Sequence, residues 1–140
     1  MPQFSNTSKA RLETCHPDLQ ALFNKIVSVY DCSILEGHRQ ECDQNRLFDE
    51  GKSKVQWPKS KHNKMPSRAA DVAPYPVIWP NRESKDYFKN LARFYHFAGF
   101  VQAHAQLLGL RLRWGGDWDR DFDFKDQRFD DLTHFELMDT

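Results

Sequence analysis

The 140-residue sequence has no surplus of charge of either sign, since 20 Lys and Arg face 20 Asp and Glu. That balance argues against a general binder of polyanions, nucleic acid included. No stretch approaches the roughly 20 consecutive apolar residues that cross a bilayer, and the segment from Met1 to Arg11 is polar in character. Neither membrane insertion nor a signal peptide is therefore expected. Cysteine is scarce: Cys15, Cys32 and Cys42 cannot all pair within the chain and none forms a C-x-x-C. They are expected to be reduced thiols of a protein made in a cytoplasm. Internal repeats and low-complexity tracts are absent as well.

What is present is aromatic. Mean hydropathy is −0.78, yet aromatics make up 14% of residues, with 11 Phe and 4 Trp. The expected core is small in residue number and built from large side chains, which makes disorder a poor reading. The length suits one domain over residues 1–140, with no room for a second folded module.

The first dozen residues read as a frayed lead-in. A helix is expected over 17–30, with Pro17 in its first turn and Leu19, Leu22, Phe23, Ile26, Val27 and Tyr30 on one stripe. The run from Cys32 to His38 reads as a strand entering a turn, with Arg39 at its exit. A short helix follows around 40–50, closed by Gly51. Residues 52–68 are basic, polar and broken by Pro58 and Pro66, a long loop of the kind often used functionally. A buried strand is expected at 69–73. A long helix is expected over 84–108, with Phe88, Leu91, Ala92, Tyr95, Ala98, Gln102, Ala105 and Leu108 near one face and Gly99 as a weak point. Strands at 110–114 and 134–137 flank an acidic, aromatic loop, 117–131. The expected fold class is α+β: a small, mainly antiparallel sheet with helices packed on one face and a functional cleft over the sheet.

His62, Asp71 and His134 stand out chemically. Two imidazoles and a carboxylate suit Zn²⁺ with a fourth position left open. Composition alone makes some such triple inevitable among six histidines and many aspartates, so the flanking residues carry the argument. Ser60-Lys61-His62-Asn63-Lys64-Met65-Pro66-Ser67-Arg68-Ala69-Ala70-Asp71 resembles the S-x-H…A-x-D signature of the zinc D-Ala-D-Ala peptidase family. Within it, the chain looks most like the small phage endolysins that act as L-alanyl-D-glutamate peptidases. Asp131-Leu132-Thr133-His134 is similar to that family's D/E-x-x-H end motif, and Gly37-His38-Arg39 to its G-x-R segment. The gap between His62 and Asp71 is two residues longer than the family's commonest spacing.

The resemblance implies that His62, Asp71 and His134 hold Zn²⁺, that Asp131 takes a proton from the attacking water and returns it to the leaving amine, and that Arg39 faces the scissile carbonyl. It also implies the peptide stem of bacterial peptidoglycan as substrate, a monomer, and an enzyme made in the host cytoplasm that reaches the wall after membrane permeabilisation. Capture of the wall would then fall to the cleft itself, between a basic loop at 52–68 and an acidic one at 117–131.

Several alternatives stay open at this level. The base could be Asp130. Arg39 could be an ion-pair partner of Glu36 or Glu41. Glu136 could orient His134 or face solvent. His38 reads as structural, and His96 and His104, eight apart, lack the spacing of a helical metal pair. Asp117, Asp119, Asp121, Asp123 and Asp126 alternate with Trp118, Phe122 and Phe124, which suggests calcium ligands, a solvated loop, or aromatic contact with substrate through Trp114 and Trp118. The run lacks the central glycine and terminal glutamate of an EF-hand loop. In function, a D-alanyl-D-alanine carboxypeptidase and a non-catalytic zinc-containing binding module are the alternatives to the endopeptidase.

Overall fold

The computed structural model describes residues 1–123 and 130–139, and among these it has eight elements and one 3₁₀ turn. In order they are α1 (Asn6–Glu13), α2 (Pro17–Val27), β1 (Cys32–Glu36), α3 (Glu41–Asp49), the 3₁₀ turn Lys61–Asn63, β2 (Ala69–Pro74), α4 (Tyr87–Leu107), β3 (Leu112–Gly115) and β4 (Asp131–Leu137). The α+β class and the four expected strands are observed.

The lead-in is not frayed. Ser5 caps α1 by accepting from the Ser8 amide at 3.1 Å, and the Ser8 hydroxyl accepts from the Ile34 amide of β1 at 3.0 Å. Phe4 and Leu12 are buried in the core. A polar segment is thus held by one buried hydroxyl and two apolar anchors, too few for a periodic pattern to reveal.

The expected stripe does form on α2, which buries Leu19, Leu22, Phe23, Ile26 and Val27. Pro17 sits in its first turn, where the missing N–H costs nothing. On α4 the buried face is Phe94, Phe97, Ala98, Val101 and Ala105. Phe88 is 78% exposed, so the face is rotated toward the two phenylalanines that the expected stripe left out. Phe97 fills the centre, where it and Phe23 both meet Phe135 of β4 edge to face, with centroids 6.1 and 5.7 Å apart; Phe94 instead stacks on Trp79.

The sheet has the order β1-β2-β4-β3, antiparallel throughout. Strand periodicity divides its residues between two faces. Ile34, Val72, Leu112, Trp114, Phe135 and Leu137 are buried on the helix side. Their neighbours in sequence, Asp71, His134, Glu136 and Arg113, project from the other side. The register sets Asp71 directly opposite His134 and Arg113 directly opposite Glu136. One face makes the core and the other gathers the chemistry.

β4 begins at Asp131, three residues earlier than expected. Its pairing with β3 slips between Trp114 and Gly115: Trp114 pairs with Phe135, but Gly115 pairs with Asp131. Three extra residues of β4 bulge there, which breaks the two-residue alternation and brings Asp131 to the same cleft as His134.

All three cysteines are free, Cys15 and Cys32 buried and Cys42 exposed. Burial pushes the Cys15 thiol up to about 11 and the Cys32 thiol up to about 12. Both stay protonated and unreactive at pH 8. A thiol titration of the native protein should therefore find one fast-reacting group, lost in Cys42→Ser, and three in denaturant. More than one fast thiol in the native state would contradict this packing.

Candidate metal centre

Asp71 is delivered by the middle of β2 and His134 by the facing position of β4. His62 comes from the 3₁₀ turn, whose start is fixed by a capping box between Ser60 and Asn63. Its Nε2 lies 3.2 Å from His134 Nδ1 and 3.3 Å from Asp71 Oδ1, and His134 Nδ1 lies 3.4 Å from the same oxygen. Four ligands placed tetrahedrally about 2.0–2.1 Å from zinc stand about 3.3–3.4 Å from one another. The triangle has the size of one face of such a site. Asp71 Oδ1 is buried without a hydrogen-bond partner, as an oxygen reserved for a cation would be.

The outer nitrogens of the two rings are occupied. His62 Nδ1 donates to the Gly37 carbonyl at 2.7 Å, and His134 Nε2 donates to Glu136 Oε1 at 2.8 Å. In the neutral rings each bond keeps the proton on the outer nitrogen, so that the other nitrogen's lone pair points into the triangle. Burial works against the charged form of Asp71, but the neighbouring His62 and His134 rings outweigh it and hold the carboxyl well below its usual range. Burial likewise opposes a proton on His134, yet Asp71 and Glu136 push it up to about 9. The pocket's negative field favours a cation, and these residues fit a divalent metal.

Around the triangle lies a cleft of about 410 Å³, with Arg39, Asp131, His134, Glu136, Arg113 and Trp118 in its walls. The basic loop supplies the opposite rim through Lys52, Lys54, Lys59 and Lys61. Asp131 faces the cleft; burial first, and then the Asp71 charge, raise its pKa. Asp130 is exposed and lies near Tyr95. Arg39 is buried, its guanidinium bonded to Glu36 at 2.8 and 2.9 Å and to Gln44 at 2.8 Å, with Asp71 Oδ2 3.7 Å away. It is both an ion-pair partner of Glu36 and a cleft residue.

Residues 1–138 match the family model of the phage L-alanyl-D-glutamate peptidases. The chain belongs to that family. It is 29% identical over 128 residues to the L-alanyl-D-glutamate peptidase of Escherichia phage T5, covering 89% of this chain and 88% of that protein. Its fold matches the crystal structure of the Serratia marcescens L-Ala D-Glu endopeptidase ChiX with a TM-score of 0.68 at 24% identity, over 97% of this chain and 90% of that one.

Several side chains lie elsewhere than their sequence context suggests. Trp114 is not available to substrate: it is 1% exposed, in the core. Trp118 does reach the cleft, its ring 5.3 Å from that of His134. The acidic run is not simply solvated, because Asp117 is fully buried and accepts from the Phe122 amide at 2.9 Å. Carboxylates of Asp117, Asp119 and Asp121 lie within 4.8 Å of one another. Phe124 and Asp126 fall outside the described residues. His96 bonds to the Tyr30 hydroxyl and His104 to the Phe100 carbonyl, so neither joins the centre.

Gln44 escaped the sequence reading. It is fully buried, accepts from Arg39 and Asn63, and donates to the Val55 carbonyl of the basic loop. A glutamine on the inner side of a short polar helix carries no periodic signal. Arg113 was legible in principle, since alternation within Leu112-Arg113-Trp114 places it on the face away from the core.

Proposed function

We propose that the chain is a zinc-dependent peptidase that hydrolyses the L-alanyl-D-glutamate bond in the peptide stem of bacterial peptidoglycan, as a phage endolysin acting on the wall. The observation that carries this reading is the convergence on one cleft of a zinc-sized triangle, a carboxyl of raised pKa and a fixed arginine. His62, Asp71 and His134 hold the metal. When bound there, zinc lowers the pKa of water toward about 7 and polarises a carbonyl.

The protein's own groups do the rest. Asp131 takes the proton of the attacking water and passes it to the departing amine; its raised pKa suits a group that must accept and then release a proton. Arg39, anchored by Glu36 and Gln44, presents fixed positive charge to the oxyanion that develops on the carbonyl. Trp118 and the lysine rim bound the space for the stem.

A closed structural zinc site uses four protein ligands, whereas the cluster holds three among the described residues. That favours catalysis over a binding module. The test is the mass of fragments released from purified peptidoglycan together with metal content. The expected products are stems beginning at D-glutamate, from a protein carrying one zinc per chain that His62→Ala loses. Release of single D-alanine from pentapeptide stems would identify the carboxypeptidase instead, and no release by zinc-loaded protein would leave the binding module.

A further inference from the structure

The two histidines of the metal triangle are held differently. His62 donates its outer N–H to a neutral backbone carbonyl, that of Gly37. His134 donates to a carboxylate, Glu136, which is only 5% exposed. A buried carboxylate needs a charged partner, and Arg113 provides it: Nη2 donates to Glu136 Oε2 at 2.9 Å from the directly opposite position of β3. The same guanidinium lies over the Trp118 ring, 5.4 Å from its centroid, and that ring packs on His134. His134 is thereby held at its edge by Glu136 and on its face by Trp118, and Arg113 ties the two together.

We propose that Glu136 and Arg113 are a positioning pair that fixes the tautomer and ring orientation of His134 and so sets how tightly the centre holds zinc. The inference rests on the metal reading above. Its physical basis is that a neutral imidazole carries one N–H. Glu136 keeps that proton on Nε2, leaves the Nδ1 lone pair facing Asp71 and His62, and makes the ring a better donor. Arg113, bonded to Oε2, holds the Glu136 carboxylate with Oε1 against His134. A plain cross-strand ion pair would stabilise β3 against β4 and leave metal affinity untouched.

The experiment is competition for zinc against a chromophoric chelator, with the melting temperature of the metal-free protein measured in parallel. Glu136→Gln keeps the shape and loses the charge. It is expected to weaken zinc binding about 10–100-fold, with metal-free melting little changed. Arg113→Met is expected to weaken zinc binding less, and to add less in the Glu136→Gln background than it does alone, because it acts mainly through that residue. The imidazole ¹H–¹⁵N spectrum of the zinc-loaded parent should show a slowly exchanging Nε2–H on His134. Unchanged zinc affinity in Glu136→Gln, additive effects of the two substitutions, or a His134 proton on Nδ1 would each overturn the proposal. If Glu136→Gln does not fold, Arg113→Met and the parent spectrum still decide it. A parent that binds no zinc would instead defeat the metal reading, so the two failures are distinguishable.

Discussion

Asp131→Ala should lower turnover on peptidoglycan about 10²–10⁴-fold while keeping the bound zinc and the melting temperature of the parent. The reasoning begins with the bulge in β4. Were the strand regular, Asp131 and His134, three apart, would project from opposite faces. The slipped pairing at Gly115 removes that constraint, and both residues line the cleft. Asp131 is outside the triangle formed by His62, Asp71 and His134, so its loss leaves the ligand set complete. Burial and the neighbouring Asp71 raise its pKa, while His134, His62 and Arg39 pull the other way. A proton shuttle needs that balance, and a ligand does not. Asp130→Ala serves as the control: an exposed side chain beside Tyr95 should leave turnover within about twofold of the parent, as changes away from buried features usually do. The assignment is refuted by lysis at near parental rate in Asp131→Ala, or by a larger loss in Asp130→Ala.

The strands and the long helices were legible because large apolar residues mark them. Val72 and Phe135 alternate with Asp71 and His134, so the division of the sheet into a core face and a polar face follows from sequence parity. The metal triple became legible through its flanking motifs, since its three members lie far apart in the chain and nothing local to one implies the others. Three features had no sequence signal. The register that sets Asp71 opposite His134 depends on β4 inserting between β2 and β3, a non-local choice. The bulge that turns Asp131 inward arises where Gly115 lies against the Asp131 backbone, where a Cβ would clash. Gln44 became buried because Arg39 and Asn63 needed an acceptor, which a single polar residue cannot announce. The rotated face of α4 is different: Phe94 and Phe97 were visible, but an amphipathic helix with aromatics on several sides has more than one plausible stripe, and contact with Phe135 selects among them.

Gly37→Ala should destabilise the fold and weaken the metal centre together. A Cβ at Gly37 would collide with the Thr14 hydroxyl and the Arg11 carbonyl at the end of α1 and lie 3.0 Å from Cys15 Sγ. The Arg11 carbonyl is backbone of a helix terminus and cannot turn aside, so β1's exit would have to move. Overpacking of this kind costs about 1–3 kcal/mol. The displacement reaches the site directly: the Gly37 carbonyl accepts from His62 Nδ1 at 2.7 Å, the His38 amide donates to Thr14 Oγ1 at 2.8 Å, and the Arg39 amide donates to the His62 carbonyl at 2.8 Å. Moving Gly37 unseats the ring of a metal ligand and the backbone of the cleft arginine at once. Zinc affinity should fall about 10-fold or more, as for other partners that orient ligands. Gly99 supplies the opposite case. It sits within α4, where an added Cβ meets nothing within 4 Å, and Gly99→Ala should stabilise the protein by about 0.5–1 kcal/mol with zinc binding unchanged. The same chemical change thus has opposite signs at two glycines, and thermal melting with and without zinc reads both. Equal melting temperatures and equal zinc affinities for the two variants would mean that the close approach of β1 to α1 does not support the centre.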